Sequence, residues 1–428
     1  MTDFTNEMLD KEVLQQINVI KNADIVVGLP TFNNEKTISN ILTNLGEGLR
    51  KYYPDLKSVI LNADSNSEDK TIDVFKKSRL PKGIEKIPTT YLGEKGKGAA
   101  IRAILEGARI LDAKVCIICE ADTKSVTPDW IYNLASPVLK SGYGFVAPYY
   151  IRNEHDATIN NALAYPLTRA LYGLRIRQPI GGDFSFSNGV LQVFTRKKYW
   201  VEYPNINKFG VDIWMTTIAL NEGFRVCQTV LGVKLHEENP NRDVKSIFKQ
   251  TISTLFELMK NYEYRWRDVI GSIQGFIMGD FKFVEAERLK ANYNDLLQKF
   301  YIDLDKYRNI WRNILDENIY KEFKEVLNSN SPDDIVLSIE LWTKIVYEFA
   351  CAYNFSNDNN DKEIIIDSML PFYYLRTASF IREAQLFSDE IADIVVEGNA
   401  GVFERLKWYL INRWDYYKNK KYKINLRK

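Results

Sequence analysis

The sequence predicts an α/β domain followed by a mostly helical region. In the first half of the chain, short apolar runs alternate with segments of helical periodicity, which is typical of a parallel sheet flanked by helices. Each of the first four runs ends in polar or charged residues. From about residue 245, glycine and proline become sparse, and aliphatic and aromatic residues recur at helical spacing.

Size and composition support two domains, and we place them at residues 1–244 and 245–428. The net charge of +1 gives no reason to expect a nucleic-acid partner. No apolar run approaches the roughly 18 residues that cross a bilayer, and the N-terminus lacks the apolar core of a signal peptide. We therefore expect a cytoplasmic protein without a membrane span.

The predicted strands follow one another through the first domain. We expect them at residues 25–28, 58–61, 84–90, 115–118, 144–148 and 230–235. The first predicted helix, 35–50, has an apolar face at helical spacing and Asn34 as its N-cap. Further helices are expected after residue 69, through residue 109, over 130–139 and after residue 209.

The fourth predicted strand runs into two acidic residues, Glu120 and Asp122. On an extended backbone, residues i and i+2 project to the same side. Both carboxylates would therefore point beyond the carboxyl edge of the sheet, where open α/β sheets bind ligands. Oxygen ligands suit Mg²⁺ or Mn²⁺, which in turn bind a diphosphate. The alternative is that both are solvated loop acids.

Polar groups also follow the other predicted strands. Asp64, after the second strand, and Glu35, after the first, can accept hydrogen bonds from a base or ribose. Lys97 stands between two glycines at a predicted helix start, where backbone amides and an ammonium group favour phosphate. The alternatives are an Asx-turn at Asp64 and an ordinary glycine-rich turn around Lys97.

Four motifs in this order, over residues 24–130, resemble the nucleotide-sugar half of GT-A glycosyltransferases. They are Pro-x-x-Asn-Asn-Glu at 30–35, Asp-x-x-Ser at 64–67, Gly-Lys-Gly at 96–98 and Glu-x-Asp at 120–122. The fingerprints of dinucleotide-binding enzymes, P-loop NTPases and serine hydrolases do not occur in the sequence. The resemblance implies that the donor contacts are Pro30, Thr31, Asn33, Glu35, Asp64, Gly96, Lys97 and Ala121.

Residues 131–240 supply a second set of motifs. Gly181-Gly182-Asp183, then Asp212 in a first helical turn, then His236 after an apolar strand resemble the glucosyl-3-phosphoglycerate synthase and mannosylglycerate synthase group of retaining enzymes. The resemblance implies a Mg²⁺ or Mn²⁺ site of Glu120, Asp122 and His236. The first acid is usually Asp in this group, so Glu120 is expected to act through water.

The resemblance also implies the remaining site residues. Asp122 and Asp183 would be catalytic, with Asp183 orienting sugar or acceptor hydroxyls. Contacts to a small carboxylate acceptor are expected from Thr158, Arg169, Arg175, Gly181, Gly182 and Asp212. The stretch 154–157 is acidic where a phosphorylated acceptor would need a cation, which favours D-glycerate over 3-phosphoglycerate.

The sequence thus predicts a retaining transferase that moves glucose or mannose from a UDP- or GDP-sugar to D-glycerate. Alternatives are a glucosyl-3-phosphoglycerate synthase, and an inverting family-2-like enzyme with Asp183 as base and a lipid or polysaccharide acceptor. A nucleotidyltransferase is disfavoured because no G-x-G-T-R-type loop follows the first predicted strand, and a non-catalytic nucleotide-sugar-binding regulator is a further alternative. The helical region is expected to be structural, with a homodimer built partly from its aromatic faces.

Overall fold

The computed structural model describes residues 3–151, 158–237, 243–280, 292–328, 335–356, 358–385 and 387–420. Within these ranges the chain forms two compact units. The first, which we call the sheet unit, comprises Met1–Ile151, Ile176–Thr254 and Gln274–Val284. The second, the helical unit, comprises Arg152–Arg175, Leu255–Ile273 and Glu285–Lys428.

The strands confirm the predicted α/β fold class. They are β1 (Ile25–Thr31), β2 (Ser58–Asp64), β3 (Ile84–Thr90), β4 (Val115–Ile118), β5 (Phe145–Ile151), β6 (Leu174–Arg175), β7 (Phe184–Ser187), β8 (Val226–Val233), β9 (Ile273–Gln274) and β10 (Ile277–Met278). Eight of them form one sheet in the order β10-β8-β5-β7-β4-β1-β2-β3, and the two-residue strands β6 and β9 form a small separate one.

The direction of the strands determines which chain segments meet at the carboxyl edge. β1 is parallel to β2 and β4, and β5 is parallel to β8. In the eight-stranded sheet described, only β7 runs antiparallel to its neighbours, β4 and β5. The ends of β4, β5 and β8 and the start of β7 therefore lie at the same edge of the sheet.

The helices observed in the two units are α1 (Lys11–Ile20), α2 (Ile38–Tyr52), α3 (Thr71–Lys77), α4 (Lys97–Ile110), α5 (Asp129–Ser141), α6 (Tyr165–Tyr172), α7 (Asn188–Phe194), α8 (Lys197–Glu202), α9 (Val211–Asn221), α10 (Val244–Asn261), α11 (Glu263–Trp266), α12 (Tyr293–Ile314), α13 (Glu317–Leu327), α14 (Ile339–Phe355), α15 (Asn359–Ala384), α16 (Asp389–Arg405) and α17 (Lys407–Lys420), with a π-helix at Asn160–Ala164 and a 3₁₀-helix at Pro204–Asn207. In the described part of the chain, no helix combines the length and apolar character needed to cross a bilayer.

The central strands are buried on both faces, as expected where helices cover both sides of a parallel sheet. The predicted apolar face of α2 packs into this core through Ile38, Ile41, Leu42 and Leu45. The predicted N-cap is wrong, because α2 begins at Ile38 and the Asn34 side chain accepts instead from the Phe32 amide, at 2.8 Å.

The helical unit has its own aromatic core. Trp311 packs against Phe372 with ring centroids 4.5 Å apart, and Trp266 packs edge-on against Trp414. Residues of the segment 158–175 belong to this unit, since Trp342 Nε1 donates to the Ala162 carbonyl at 2.8 Å. The two units differ from the predicted ranges 1–244 and 245–428, because the sheet unit continues to Thr254 and the helical unit includes the insertion between β5 and β7.

Candidate active site

Asp64 closes the turn after β2. One carboxylate oxygen accepts from the Ser67 amide at 2.7 Å, and the other accepts from Ser67 Oγ at 2.6 Å and Thr31 Oγ1 at 2.8 Å. A carboxylate has about four acceptor positions. Three of them are used within the protein, so Asp64 stabilises this turn, although the amide it accepts from lies three residues on and not two, as the Asx-turn alternative requires.

Asn33 and Glu35 join the loop after β1 to the loop after β2. Asn33 Oδ1 accepts from the Glu68 amide at 2.8 Å, and Glu35 Oε2 accepts from the Lys70 amide at 3.0 Å. The predicted donor contacts at these positions thus support the loops through their side chains. Two other predicted donor contacts, Pro30 and Thr31, belong to β1 itself, and Ala121 uses its carbonyl to accept from Thr37 Oγ1 at 2.5 Å.

The glycines around Lys97 allow close packing of two backbone segments. A Cβ at Gly98 would lie 1.7 Å from the Ile206 carbonyl oxygen, and the Gly98 amide donates to the Lys208 carbonyl at 3.1 Å. The Gly96 amide donates to Tyr91 Oη at 2.9 Å. Because these two amides have protein partners, the predicted phosphate cradle is corrected at both glycines, and only the Lys97 side chain reaches the other charged groups.

Five charged side chains meet at the carboxyl edge, and we call them the charge cluster: Lys97, Glu120, Asp183, Asp212 and Lys234. Lys97 Nζ lies 2.7 Å from Glu120 Oε1 and 2.6 Å from Asp212 Oδ2. Lys234 Nζ lies 2.5 Å from Glu120 Oε2, 2.7 Å from Asp183 Oδ2 and 3.1 Å from the Gly181 carbonyl. Glu120 therefore bridges two ammonium groups.

The charge cluster has an inner and an outer part. The side chains of Asp183 and Lys234 are 0% and 2% exposed, whereas Lys97 and Glu120 keep 16% and 24% of their surface exposed. A ligand arriving from solvent would therefore meet Lys97 and Glu120 first.

Asp183 accepts from three protein donors. Its Oδ1 accepts from the Glu120 amide at 2.8 Å, and its Oδ2 accepts from Lys234 and from the Tyr150 hydroxyl. This geometry gives Asp183 a structural part, because both oxygens of the buried carboxylate accept from protein donors, and its catalytic role stays a prediction. Asp183 holds the ends of β4, β5 and β8 together.

The Gly181-Gly182 turn allows the backbone before β7 to pack against Glu120 and Pro148. Gly182 has φ +87°, and a Cβ there would lie 2.2 Å from Glu120 Cδ. A Cβ at Gly181 would lie 2.3 Å from Pro148 Cγ. The two glycines, predicted as acceptor contacts, are thus required by packing.

The charges shift one another's ionisation. Removal from water would raise the pKa of Glu120, but Lys234 and Lys97 outweigh this and hold it well below its usual range. Burial would lower the pKa of Lys97, but Asp212 and Glu120 raise it. Burial raises the pKa of Asp212, and Lys97 opposes that shift. Asp212 Oδ1 is buried without a hydrogen-bond partner.

The predicted metal ligands separate into two kinds. Asp122 and His236 lie on adjoining segments, since His236 bridges to Thr123 and the Glu237 amide donates to the Asp122 carbonyl at 2.9 Å. Asp122 Oδ1 is buried without a partner, and burial followed by the charge of Glu120 raises the pKa of Asp122. Glu120, by contrast, has a lysine at each oxygen.

Among the residues described, no three His, Cys, Asp or Glu side chains are arranged to hold a metal ion. The predicted trio is corrected accordingly. β4 ends at Ile118, and Asp122 lies in a turn, so the rule that residues i and i+2 face the same side does not apply to Glu120 and Asp122. Asp122 and His236 fit a divalent cation by their donor chemistry. Glu120 has a suitable carboxylate, but a lysine is paired with each of its oxygens.

Sequence reasoning missed Lys234 and Tyr150. The signal for Lys234 was a lysine within the apolar run that leads to His236, because a lysine placed in such a run is rarely buried without an acidic partner. Tyr150 had no comparable signal, since tyrosine is ordinary in a strand.

The remaining predicted acceptor contacts lie in the helical unit. Arg169 is buried and pairs with Glu404 and, at 2.7 Å, with Glu397. Arg175 Nε donates to Ser272 Oγ at 2.9 Å, and Thr158 Oγ1 lies 2.6 Å from Tyr373 Oη. The predicted role of Arg169 is corrected, because its guanidinium is committed to two glutamates. The acidic stretch 154–157 lies outside the described residues.

Comparison with known proteins identifies the class. Residues 26–200 match the model of glycosyl transferase family 2. An uncharacterised protein of Methanocaldococcus jannaschii, MJ1222, is 31% identical over 232 residues, which cover 53% of this chain and 84% of the relative. The fold and the strand-edge site are those of a GT-A glycosyltransferase that uses a nucleotide sugar. The chain belongs to glycosyl transferase family 2, and the non-catalytic regulator is not retained.

More distant similarities are to glucosyl-3-phosphoglycerate synthases of two mycobacteria. Glucosyl-3-phosphoglycerate synthase of Mycolicibacterium paratuberculosis is 23% identical over 249 residues, covering 54% of this chain and 71% of the relative. The crystal structure of glucosyl-3-phosphoglycerate synthase from Mycobacterium tuberculosis with Mn²⁺, UDP-glucose and phosphoglyceric acid aligns with a TM-score of 0.43 at 20% identity, covering 57% of this chain and 83% of that one. The crystal structure of that enzyme with Mg²⁺ and UDP aligns with a TM-score of 0.43 at 20% sequence identity, covering 60% of this chain and 86% of that one.

Proposed function

We propose that this glycosyltransferase moves glucose or mannose from a UDP- or GDP-sugar to D-glycerate with retention of configuration. The product would be glucosylglycerate or mannosylglycerate, a compatible solute. The observation that carries the retaining chemistry is the occupancy of Asp183. The acid that an inverting mechanism was expected to use as base is buried and has three protein donors.

The donor would bind at the carboxyl edge, where Lys97 is the outer cation of the charge cluster. A divalent cation held by Asp122 and His236 would stabilise the negative charge of the departing diphosphate. The unpartnered oxygen of Asp122 supports this assignment. Lys97 offers the diphosphate a positive charge, since the ordinary pKa of lysine lies far above neutral and Asp212 and Glu120 raise the pKa of Lys97 further.

In the retaining reaction the acceptor hydroxyl attacks from the face that the diphosphate leaves, and its proton passes to a phosphate oxygen of the leaving group. No protein carboxylate has to act as base. Asp183 then has a positioning role. It accepts hydrogen bonds from the backbone amide of Glu120 and the ammonium of Lys234, and so joins the segments that carry Asp122 and His236.

For the acceptor we propose unphosphorylated glycerate. The curated relative is named for 3-phosphoglycerate, which supports a three-carbon acid. Two acidic residues, Glu154 and Asp156, stand in the stretch where the phosphorylated acceptor would need a cation. Glucosyl-3-phosphoglycerate synthesis is the alternative within the same reaction class.

A second candidate, an inverting transferase, has one observation in its favour. Asp212 Oδ1 is buried without a partner, and burial raises the pKa of Asp212. These are properties of a general base. If transfer inverts the configuration, Asp212 rather than Asp183 is the base.

The proposal is tested with a matrix of UDP- and GDP-hexoses against glycerate and 3-phosphoglycerate, with Mg²⁺ or Mn²⁺. The anomeric configuration of the product is read by NMR. We expect transfer to glycerate with retention. Transfer only to 3-phosphoglycerate would select the alternative acceptor, and an inverted product that is lost in Asp212→Asn would select the second candidate.

Asp122→Ala should abolish transfer without unfolding the protein, because it removes a proposed cation ligand rather than core volume. Asp55→Ala, at an exposed aspartate of the same unit, is the control. Activity of Asp122→Ala within a few-fold of the parent would contradict the proposed cation site.

The proposal includes a homodimer formed through the helical unit. Three of its large apolar side chains are exposed on α16 and α17, namely Ile391, Ile394 and Trp408. Such exposed apolar groups are common at interfaces between subunits.

A further inference from the structure

We propose that Lys234 takes the place of a metal ion beside Glu120, so that Glu120 anchors two ammonium groups and the proposed cation is held by Asp122 and His236 without it. Lys234 would then be a positioning residue of the transfer site. The inference rests on the proposed function only where it refers to that cation; the placement of Lys234 stands on its own contacts.

The first support is the occupancy of Glu120. Each carboxylate oxygen has an ammonium nitrogen within 2.7 Å, Lys97 at Oε1 and Lys234 at Oε2. A divalent cation bound to either oxygen would stand next to a positive charge in a partly buried site, where Coulomb repulsion is poorly screened. Direct metal ligation by Glu120 would require at least one of these ammonium groups to leave.

The second support is the lack of room for Glu120 to turn away. The Gly182 Cα bears no side chain, and a Cβ there would lie 2.2 Å from Glu120 Cδ, so the carboxylate is packed directly against that backbone. The Glu120 amide donates to Asp183, which fixes the other end of the residue. Glu120 is therefore held at its backbone amide and at its carboxylate.

The third support is the position of Lys234 between strand ends. Its ammonium contacts Glu120 after β4, and Asp183 and the Gly181 carbonyl before β7, while its backbone follows β8. With a side chain only 2% exposed, it cannot exchange these partners for water. Two residues further on is His236, so Lys234 lies on the segment that carries this proposed ligand.

The test measures Mn²⁺ binding by electron paramagnetic resonance in the presence of UDP, for the parent, Asp122→Asn, Glu120→Gln and Lys234→Met. We expect at least a tenfold weaker affinity in Asp122→Asn and a change below threefold in Glu120→Gln. Lys234→Met should bind Mn²⁺ several-fold more tightly, because Glu120 becomes free to act as a ligand. The double variant Lys234→Met/Glu120→Gln should lose that gain.

Lys124→Met is the matched control, since it removes a nearby but 49% exposed lysine without freeing Glu120. It should change Mn²⁺ affinity less than twofold. A loss of affinity in Glu120→Gln as large as in Asp122→Asn overturns the inference. If the double variant still binds Mn²⁺ more tightly than the parent, the inference is also overturned. The gain would then come only from removing the positive charge of Lys234, and not from freeing Glu120.

A second measurement, made in EDTA, separates this inference from the proposed function. Thermal unfolding of Lys234→Met, Glu120→Gln and the double variant forms a double-mutant cycle. We expect the double variant to lose clearly less stability than the sum of the single losses, because each single change leaves a charge without its partner. Additive losses overturn the placement of Lys234, whereas absence of Mn²⁺ binding in the parent together with a coupled cycle contradicts only the proposed cation.

Discussion

At the scale of single residues, the position of the Glu120 carboxylate depends on a glycine. Gly182 has φ +87°, a region that residues with a Cβ enter at a cost, and it also faces the Glu120 carboxylate. Gly83 has a similar φ of +93°, but a Cβ there would meet nothing within 4 Å. A substitution at Gly83 therefore tests backbone strain alone, whereas one at Gly182 tests backbone strain together with steric overlap.

We expect Gly83→Ala to lower the free energy of unfolding by about 1–3 kcal/mol, the cost of a left-handed conformation for a residue with a Cβ. Gly182→Ala adds overpacking against Glu120, for a total of about 3–5 kcal/mol. Urea unfolding of both variants gives the comparison. Equal losses in the two variants would show that Glu120 moves freely away from Gly182.

Lys407 gives a pH-dependent prediction for the helical unit. Burial lowers the pKa of Lys407 to about 8, from a usual value of 10.5, and its ammonium donates to the Val269 carbonyl at 2.6 Å. Between pH 8 and 10.5 the folded protein loses this proton while the unfolded chain keeps it. The unfolded state then binds more protons, so stability rises with pH.

We expect the parent to gain about 2–3 kcal/mol over this window relative to Lys407→Met, which lacks the titrating group. Melting temperatures at pH 7.5 and pH 10 provide the measurement, and the variant cancels the contributions of all other titrating groups. A difference between parent and variant that does not change with pH would mean that the Lys407 ammonium is solvated in the folded protein.

At the scale of secondary-structure elements, the start of α4 shows how a motif can serve packing and chemistry together. Lys97 contributes a charge to the cluster, while the flanking glycines let the helix start approach the backbone of residues 206–208. A glycine in a helix normally costs about 0.5–1 kcal/mol relative to alanine. At Gly98 the close approach requires glycine despite this cost.

Gly98→Ala should therefore destabilise the sheet unit, because its Cβ would lie 1.7 Å from the Ile206 carbonyl oxygen, a backbone atom. We expect a loss of about 1–3 kcal/mol. Gly398→Ala, within α16 and with nothing inside 4 Å, is the matched control and should stabilise the protein by about 0.5–1 kcal/mol. Similar gains in both variants would contradict the packing role of Gly98.

At the scale of the whole molecule, most tryptophans of the helical unit serve its own core. Trp266, Trp311, Trp342 and Trp414 are fully buried, and Trp408 is 58% exposed. The aromatic content of this region is therefore explained largely by folding within one chain. The proposed homodimer then depends on the few apolar side chains that remain exposed.

We expect light scattering at micromolar concentration to give twice the chain mass of 49.7 kDa. Trp408→Ser should shift the protein toward the monomer, because it removes the largest exposed apolar side chain of α17. Val19→Ser, at an 81% exposed valine of the sheet unit, is the control and should leave the mass unchanged. A parent protein with the mass of a single chain would remove the homodimer.

The sequence by itself determined the fold class, the order of the central strands along the chain and the strand edge at which the site lies. Apolar runs that end in polar residues fix these features locally, because β1, β2 and β4 are buried on both faces and charged residues are confined to their ends. The apolar face of α2 was likewise readable from residue spacing.

Only the tertiary structure decided how the charged groups are paired. Glu120, Asp183 and Lys234 are far apart in sequence and meet because β7 lies antiparallel between β4 and β5, which brings the turn before β7 to the ends of β4 and β8. A carboxylate becomes an ion-pair partner, a ligand or a base according to which groups fold against it. Its role depends on long-range contacts, which local sequence patterns do not reveal.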